Sequence, residues 1–159
     1  QVLSYCATEK NINTLWFPSY GPETRGGTAN CSVTISERSV NSPVISTPDS
    51  IIIMNKPSLA KFMPKLKKDG NLFVNTSLVV GLEYRDDVNV YEIPVNDLAL
   101  KLGNLKVANM IMLGAYLEVT KIFTNEEVIE VMKKKFTGSK AALIDINKQA
   151  LETGRQAVK

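Results

Sequence analysis

Ser50-Ile51-Ile52-Ile53-Met54 is the stretch that decides the fold class, because its three consecutive isoleucines leave no polar alternation. A strand with one wet face alternates apolar and polar side chains. A strand covered on both faces reads instead as a continuous apolar run, the pattern of a parallel sheet between helix layers. Asn55-Lys56-Pro57 closes the run, and Pro57 suits an early helix position. Leu59, Phe62, Met63 and Leu66 then recur on one helical face until Lys67-Lys68-Asp69-Gly70 breaks the pattern. Asn71–Asn75, with Leu72, Phe73 and Val74 inside it, predicts the next strand, and Asn89–Ile93 another after a polar stretch. Strands and helices in this alternation imply an α/β fold built on βαβ-like units, with a mostly parallel sheet.

Working outward from that centre, Val2, Leu3, Cys6 and Ala7 fit the last turns of a helix, stopped by Asn11-Ile12-Asn13. Thr14-Leu15-Trp16-Phe17 predicts a short strand ended by Pro18, which lacks a backbone donor. Ala29–Ser36 alternates, with Ala29, Cys31, Val33 and Ile35 on one face, as a half-buried and antiparallel strand does. Towards the other end, helices are expected at residues 96–102 and 106–123, the second with Ala108, Gly114 and Ala115 placed for close helix contact. Thr124-Asn125-Glu126-Glu127 offers a cap for residues 128–136, and Ser139 for a last helix reaching towards Gly154. No repeat or linker divides the chain, so residues 1–159 are expected to form a single domain.

The composition bounds the function. At 159 residues and 44% hydrophobic, one core can be buried well. A net charge of +3, from basic residues scattered among acidic ones, carries no nucleic-acid footprint. The longest apolar runs fall far short of the ~20 residues that a membrane span needs. The first residues, Gln1-Val2-Leu3-Ser4-Tyr5-Cys6-Ala7, lack an initiator Met and the pattern of a secretory signal, so the sequence reads as N-terminally truncated. Cys6 and Cys31 read as free, buried residues of a reducing, cytoplasmic location. With no histidine and no Cys-x-x-Cys, the chain supplies no imidazole base, no His metal ligand and no four-thiolate cluster site. Neither a catalytic nor a metal-ligating residue is assigned.

Chemistry concentrates in residues 18–27, Pro18-Ser19-Tyr20-Gly21-Pro22-Glu23-Thr24-Arg25-Gly26-Gly27, a loop after a strand where α/β sheets place their ligands. Arg25 beside Gly26 and Gly27 suits a phosphate or carboxylate clamp. The same residues also suit a shaped turn in which Arg25 and Glu23 pair with each other or with another subunit. Asn55-Lys56-Pro57-Ser58 and Asn75-Thr76-Ser77 each follow a buried strand and are expected at the carboxyl end of the sheet, either lining one cleft with that loop or serving as caps and turns. Cys31 has no His partner that would make it a nucleophile.

Residues 16–31, from Trp16-Phe17-Pro18 through Arg25-Gly26-Gly27 to Asn30-Cys31, closely resemble the gamma subunit or gamma domain of pyruvate, 2-ketoisovalerate and 2-oxoglutarate ferredoxin oxidoreductases. The resemblance continues at Ser42-Pro43-Val44, Asn55-Lys56-Pro57-Ser58-Leu59, Asn75-Thr76-Ser77 and Ala108-Asn109-Met110-Ile111-Met112-Leu113-Gly114-Ala115. Thr24 stands where the family often has Met, and Lys56 where Gln is common. The family's opening strand and glycine-rich turn precede anything in this chain. What the resemblance implies is a three-layer α/β/α domain within an assembly of alpha, beta and delta-type subunits. That assembly oxidatively decarboxylates a 2-oxoacid with coenzyme A, giving acyl-CoA, carbon dioxide and reduced ferredoxin. Thiamine diphosphate, Mg²⁺ and iron–sulfur clusters are then expected on the other subunits, with no cofactor held by this chain alone. Tyr20, Gly21, Glu23, Arg25, Gly26, Gly27, Asn55 and Asn75 become the candidates for closing the coenzyme A and thiamine site or the subunit junction. The competing reading is an assembly subunit that touches no ligand.

Overall fold

The structure, a computed structural model, describes residues 1–20 and 28–159. It is a mixed α/β fold with a three-stranded parallel sheet at its centre. β3 (Ser50–Ile53), β4 (Asn71–Asn75) and β5 (Asn89–Ile93) lie side by side in that order, with Ile52 beside Phe73 and Phe73 beside Tyr91. Ahead of them in the chain, β1 (Asn13–Tyr20) and β2 (Ala29–Ser36) pair antiparallel as a separate two-stranded ribbon, with Asn13 opposite Ser36 and Tyr20 opposite Ala29.

Two cores form because β4 is buried on both faces. Leu72 and Val74 pack with Ile51, Ile53, Leu59, Leu66 and Val79, under helix α2 (Lys56–Phe62) and the single 3₁₀ turn that follows it. Phe73 points the other way, into the larger core. There it stacks on Tyr91 at 5.1 Å and meets Tyr116 edge-on at 5.7 Å. That larger core gathers α1 (Val2–Glu9), α3 (Val95–Lys101), α4 (Ala108–Thr120), α5 (Asn125–Lys135) and α6 (Ile144–Ala157). The helices on either side of the sheet produce the three layers.

Sequence chemistry explains the close contacts. Gly114 of α4 and Gly154 of α6 sit at the helix crossing, where a Cβ on Gly154 would fall on the Ile111 carbonyl and one on Gly114 on the Leu151 carbonyl. α5 begins with a reciprocal cap: Thr124 Oγ1 accepts from the Glu127 N–H at 3.1 Å, and a Glu127 carboxylate oxygen accepts from the Thr124 N–H at 3.2 Å. α1 is clasped to α5 by ion pairs, Lys10 with Glu127 and Lys134 with Glu9 at 2.8 Å, and by Lys135 over the Tyr5 ring.

Several expectations need correction. Pro18 does not end β1: the strand runs on to Tyr20 with Pro18 opposite Cys31, which a ribbon tolerates because its outer edge needs no donor. Cys6 is buried as expected, but Cys31 is exposed, because β2 extends past the helix that covers its other end. The isoleucine run is covered on one side only. Ile51 and Ile53 are 9% and 1% exposed, whereas Ile52 is 39% exposed, since β3 is the edge strand and the helices of the larger core lie over β4 and β5. Residues 106–123 divide into a 3₁₀ turn and α4, which Lys121 ends in a left-handed conformation with φ 55°. Ser139 caps nothing, because a 3₁₀ stretch from Gly138 to Leu143 intervenes before α6 begins.

Candidate functional site

The parallel strands all end on one side of the sheet, and the polar residues at those ends meet there. Asn55 follows β3 and caps α2, its side-chain oxygen accepting from the Ser58 N–H at 3.2 Å. Asn75, the last residue of β4, is fully buried. Its amide donates to the Met54 carbonyl at 3.1 Å and to Asn96 Oδ1 at 2.9 Å, while its oxygen accepts from the Ser77 N–H at 3.2 Å. Ser77 Oγ in turn accepts from the Asp97 N–H at 3.1 Å. One side chain thus ties together the exits of all three strands, because Met54 follows β3 and Asn96 opens α3 beyond β5.

Of the loop candidates, Gly21, Glu23, Arg25, Gly26 and Gly27 lie outside the described residues. Their flanks are placed. Tyr20 ends β1 and is 78% exposed, and Thr28 is the first described residue on the far side. Lys61 of α2 donates from Nζ to Thr28 Oγ1 at 3.0 Å, which holds Thr28 against the helix that Asn55 caps. Lys61 and Lys65 flank the Phe62 ring, their amines 5.3 and 5.6 Å from its centre. The sequence reading missed Lys61 and Asn96. Lys61 is one of several lysines around α2 with nothing to single it out, whereas Asn96 stands just beyond a predicted parallel strand, the kind of position where such sheets place ligand contacts.

Two groups among the described residues are held firmly protonated. Burial first, and then the neighbouring Glu92 carboxylate, push Tyr84 up to about 12, still further above neutral pH than an ordinary phenol. Burial likewise pushes Cys6 up to about 11, with the nearby Glu127 carboxylate adding to the rise, which keeps it an inert thiol. A cleft of about 660 Å³ opens between α4, α5 and α6 and shares no residue with the strand-end cluster. Its lysines and arginine are matched by carboxylates, so it makes no concentrated anion site.

The family profile described as "Pyruvate ferredoxin/flavodoxin oxidoreductase" matches residues 1–157. The chain belongs to this family. It is 35% identical to the ketoisovalerate oxidoreductase subunit VorA of Methanothermobacter thermautotrophicus, over 97% of this chain and 32% of that protein. It is 32% identical to the 2-oxoglutarate synthase subunit KorC of the same organism, over 88% of this chain and 76% of KorC. In three dimensions it matches a chain of the 2-oxoglutarate:ferredoxin oxidoreductase of Magnetococcus marinus, solved with 2-oxoglutarate, coenzyme A and succinyl-CoA bound. The TM-score is 0.83 over 99% of this chain and 27% of that one, and at 20% identity the likeness is one of fold. This family member therefore spans about a third of the length of VorA and most of the length of KorC.

Proposed function

We propose that this chain is the gamma-type portion of a 2-oxoacid:ferredoxin oxidoreductase. In that reaction a 2-oxoacid loses its carboxylate as carbon dioxide, the acyl group passes to the coenzyme A sulfur, and the released electrons leave one at a time to ferredoxin. Thiamine diphosphate, when bound with Mg²⁺ on a partner subunit, supplies the carbanion stabilisation that decarboxylation requires, and iron–sulfur clusters on other subunits carry the electrons. The alpha, beta and delta-type subunits are the partners, in the cytoplasm. No helix among the described residues is long and apolar enough to cross a membrane.

This chain's own part is to bind and position. The observation that carries the reading is the hydrogen bond from Lys61 to Thr28, which sets Thr28, the residue after Arg25-Gly26-Gly27 in sequence, against α2 beside the carboxyl end of the parallel sheet. Arg25 is the anion contact for coenzyme A. Tyr20, Gly21, Glu23, Gly26 and Gly27 are assigned to the same site by their sequence, and Asn55 and Asn75 hold the strand ends of the sheet. An Arg–phosphate pair is a charge-assisted contact whose loss costs ~1.5–3 kcal/mol, on the order of tenfold or more in affinity.

Arg25→Ala in the intact assembly should therefore raise the apparent KM for coenzyme A about tenfold while subunit composition and kcat hold. An unchanged KM sinks the coenzyme A contact and favours a chain that serves assembly alone.

A further inference from the structure

The β1–β2 ribbon has a face that the described residues begin to cover and then leave bare. In an antiparallel pair, directly opposed residues share a face. At the root of the ribbon that face is anchored: Ile35 packs against the larger core, and Thr14 opposite it donates to Ser4 Oγ on α1 at 3.3 Å. Further out the same face presents Trp16 with Val33, Pro18 with Cys31, and Tyr20 with Ala29. Of these, Trp16, Tyr20, Ala29 and Cys31 are exposed, Trp16 at 38%. The other face carries more polar pairs beyond Leu15, Phe17 with Ser32 and Ser19 with Asn30.

Three observations make this strip an interaction surface. The sequence alternation in Ala29–Ser36 has the pattern of a strand that faces a core, yet only its Ile35 end reaches one. Neither strand contains a single charged side chain, in a chain that is 22% charged, and no residue of either strand is buried. Charge depletion with exposed Trp and Tyr is the composition of an interface centre, and a two-stranded ribbon covered only at its root is marginally stable by itself.

The occupant follows from the lengths of the relatives. The region similar to this chain makes up most of KorC but only a third of VorA, where the remaining two-thirds belongs to the same polypeptide. We infer that the Trp16–Cys31–Tyr20 strip docks the apolar, uncharged surface of the polypeptide that corresponds to that remainder, on the same chain or on a separate subunit. The inference rests on the proposed function and adds the surface through which the assembly is held. The strip continues outward from the α1 contact to Tyr20.

The test uses the active assembly. Tyr20→Arg and Cys31→Arg each put a charge on the strip and should cut recovery of the assembly at least tenfold, whereas Ser32→Arg on the opposite face should leave recovery intact. In the unsubstituted assembly, maleimide should modify Cys31 at least tenfold more slowly than a thiol introduced by Lys140→Cys on an exposed turn, as read by peptide mass mapping. Full recovery of both strip variants, or equal reaction of the two thiols, overturns the surface. A dimer of this chain that protects Cys31 without any partner overturns the choice of occupant. Turnover of a 2-oxoacid reads the proposed function separately: an active assembly with a reactive Cys31 keeps the function and loses the strip, and an inactive one with a protected Cys31 does the reverse.

Discussion

Asn75 shows how much one side chain can organise. Its amide and carbonyl engage Met54, Asn96 and Ser77 with no solvent exposure, so an apolar replacement strands buried partners instead of merely deleting a bond. Asn75→Ala should cost about 2–3 kcal/mol, measured as a lower urea midpoint with an unchanged m-value, and Asn75→Asp should cost at least as much, because it replaces the donor amide with a buried carboxylate. Arg85 plays a comparable part on the other side of α2. It donates to the Met63 and Leu66 carbonyls at 3.0 and 2.7 Å and grips Asp87 with both arms of its fork at 2.8 and 2.6 Å. That guanidinium also holds the Asp87 carboxyl below the usual carboxylate range. Arg85→Lys keeps the charge but not the fork, and should still lower stability by about 1–2 kcal/mol in the same measurement. The sequence placed Asn75 at a strand end but not its three partners, because pairing across strand exits is a product of register, which composition does not encode. Arg85 carried no motif at all.

Among the elements, the α4–α6 crossing and the α5 cap make opposite kinds of demand. Replacing an interior helical glycine with alanine ordinarily stabilises by up to about 1 kcal/mol. At Gly154 the sign should reverse. The new methyl would meet the Ile111 carbonyl, so Gly154→Ala should destabilise by about 3 kcal/mol, visible as a lower melting temperature. The spacing of Ala108, Gly114 and Ala115 predicted a close approach on α4, but Gly154 looked like a helix end until α6 was seen to continue to Ala157. The cap at Thr124 was legible, though the helix it opens begins at Asn125 and not at Val128, and the return bond from Glu127 was not foreseen. Its pH dependence follows from Glu127, whose carboxyl is held below the usual glutamate range first by its hydrogen bond with Lys10 and then by the Thr124 contacts. A carboxyl whose folded pKa is depressed adds stability that is fully present above its unfolded value of about 4.3 and is lost as pH falls through the folded value. The melting temperature should therefore decline below about pH 4.5, and Glu127→Gln should flatten part of that decline; an unaltered profile in the variant would assign the acid sensitivity elsewhere.

For the molecule as a whole, the parallel sheet was readable because a buried strand leaves an unbroken apolar run, as Leu72, Phe73 and Val74 do. Ala29–Ser36 was readable as an antiparallel strand, whereas the exposure of Cys31 was not: Ala29, Cys31 and Val33 carry a core-facing pattern, and local sequence does not say whether the core they face belongs to the same fold. A chain made in this way has a vulnerable interval. Between synthesis and the proposed assembly the strip and the two strand edges that no described residue pairs are open to any other extended segment, including those of sibling copies. Expressed by itself, the chain should lose soluble yield steeply as its concentration rises, and co-expression of the polypeptide that covers the strip should restore it; equal soluble yields would show that the edges need no protection. Where the two regions share one polypeptide, as the length of VorA allows, the cover is delivered at a fixed ratio and within reach of a tether. Where they are made as separate subunits, that ratio has to come from matched synthesis, and the unpaired excess becomes a substrate for chaperones and proteases.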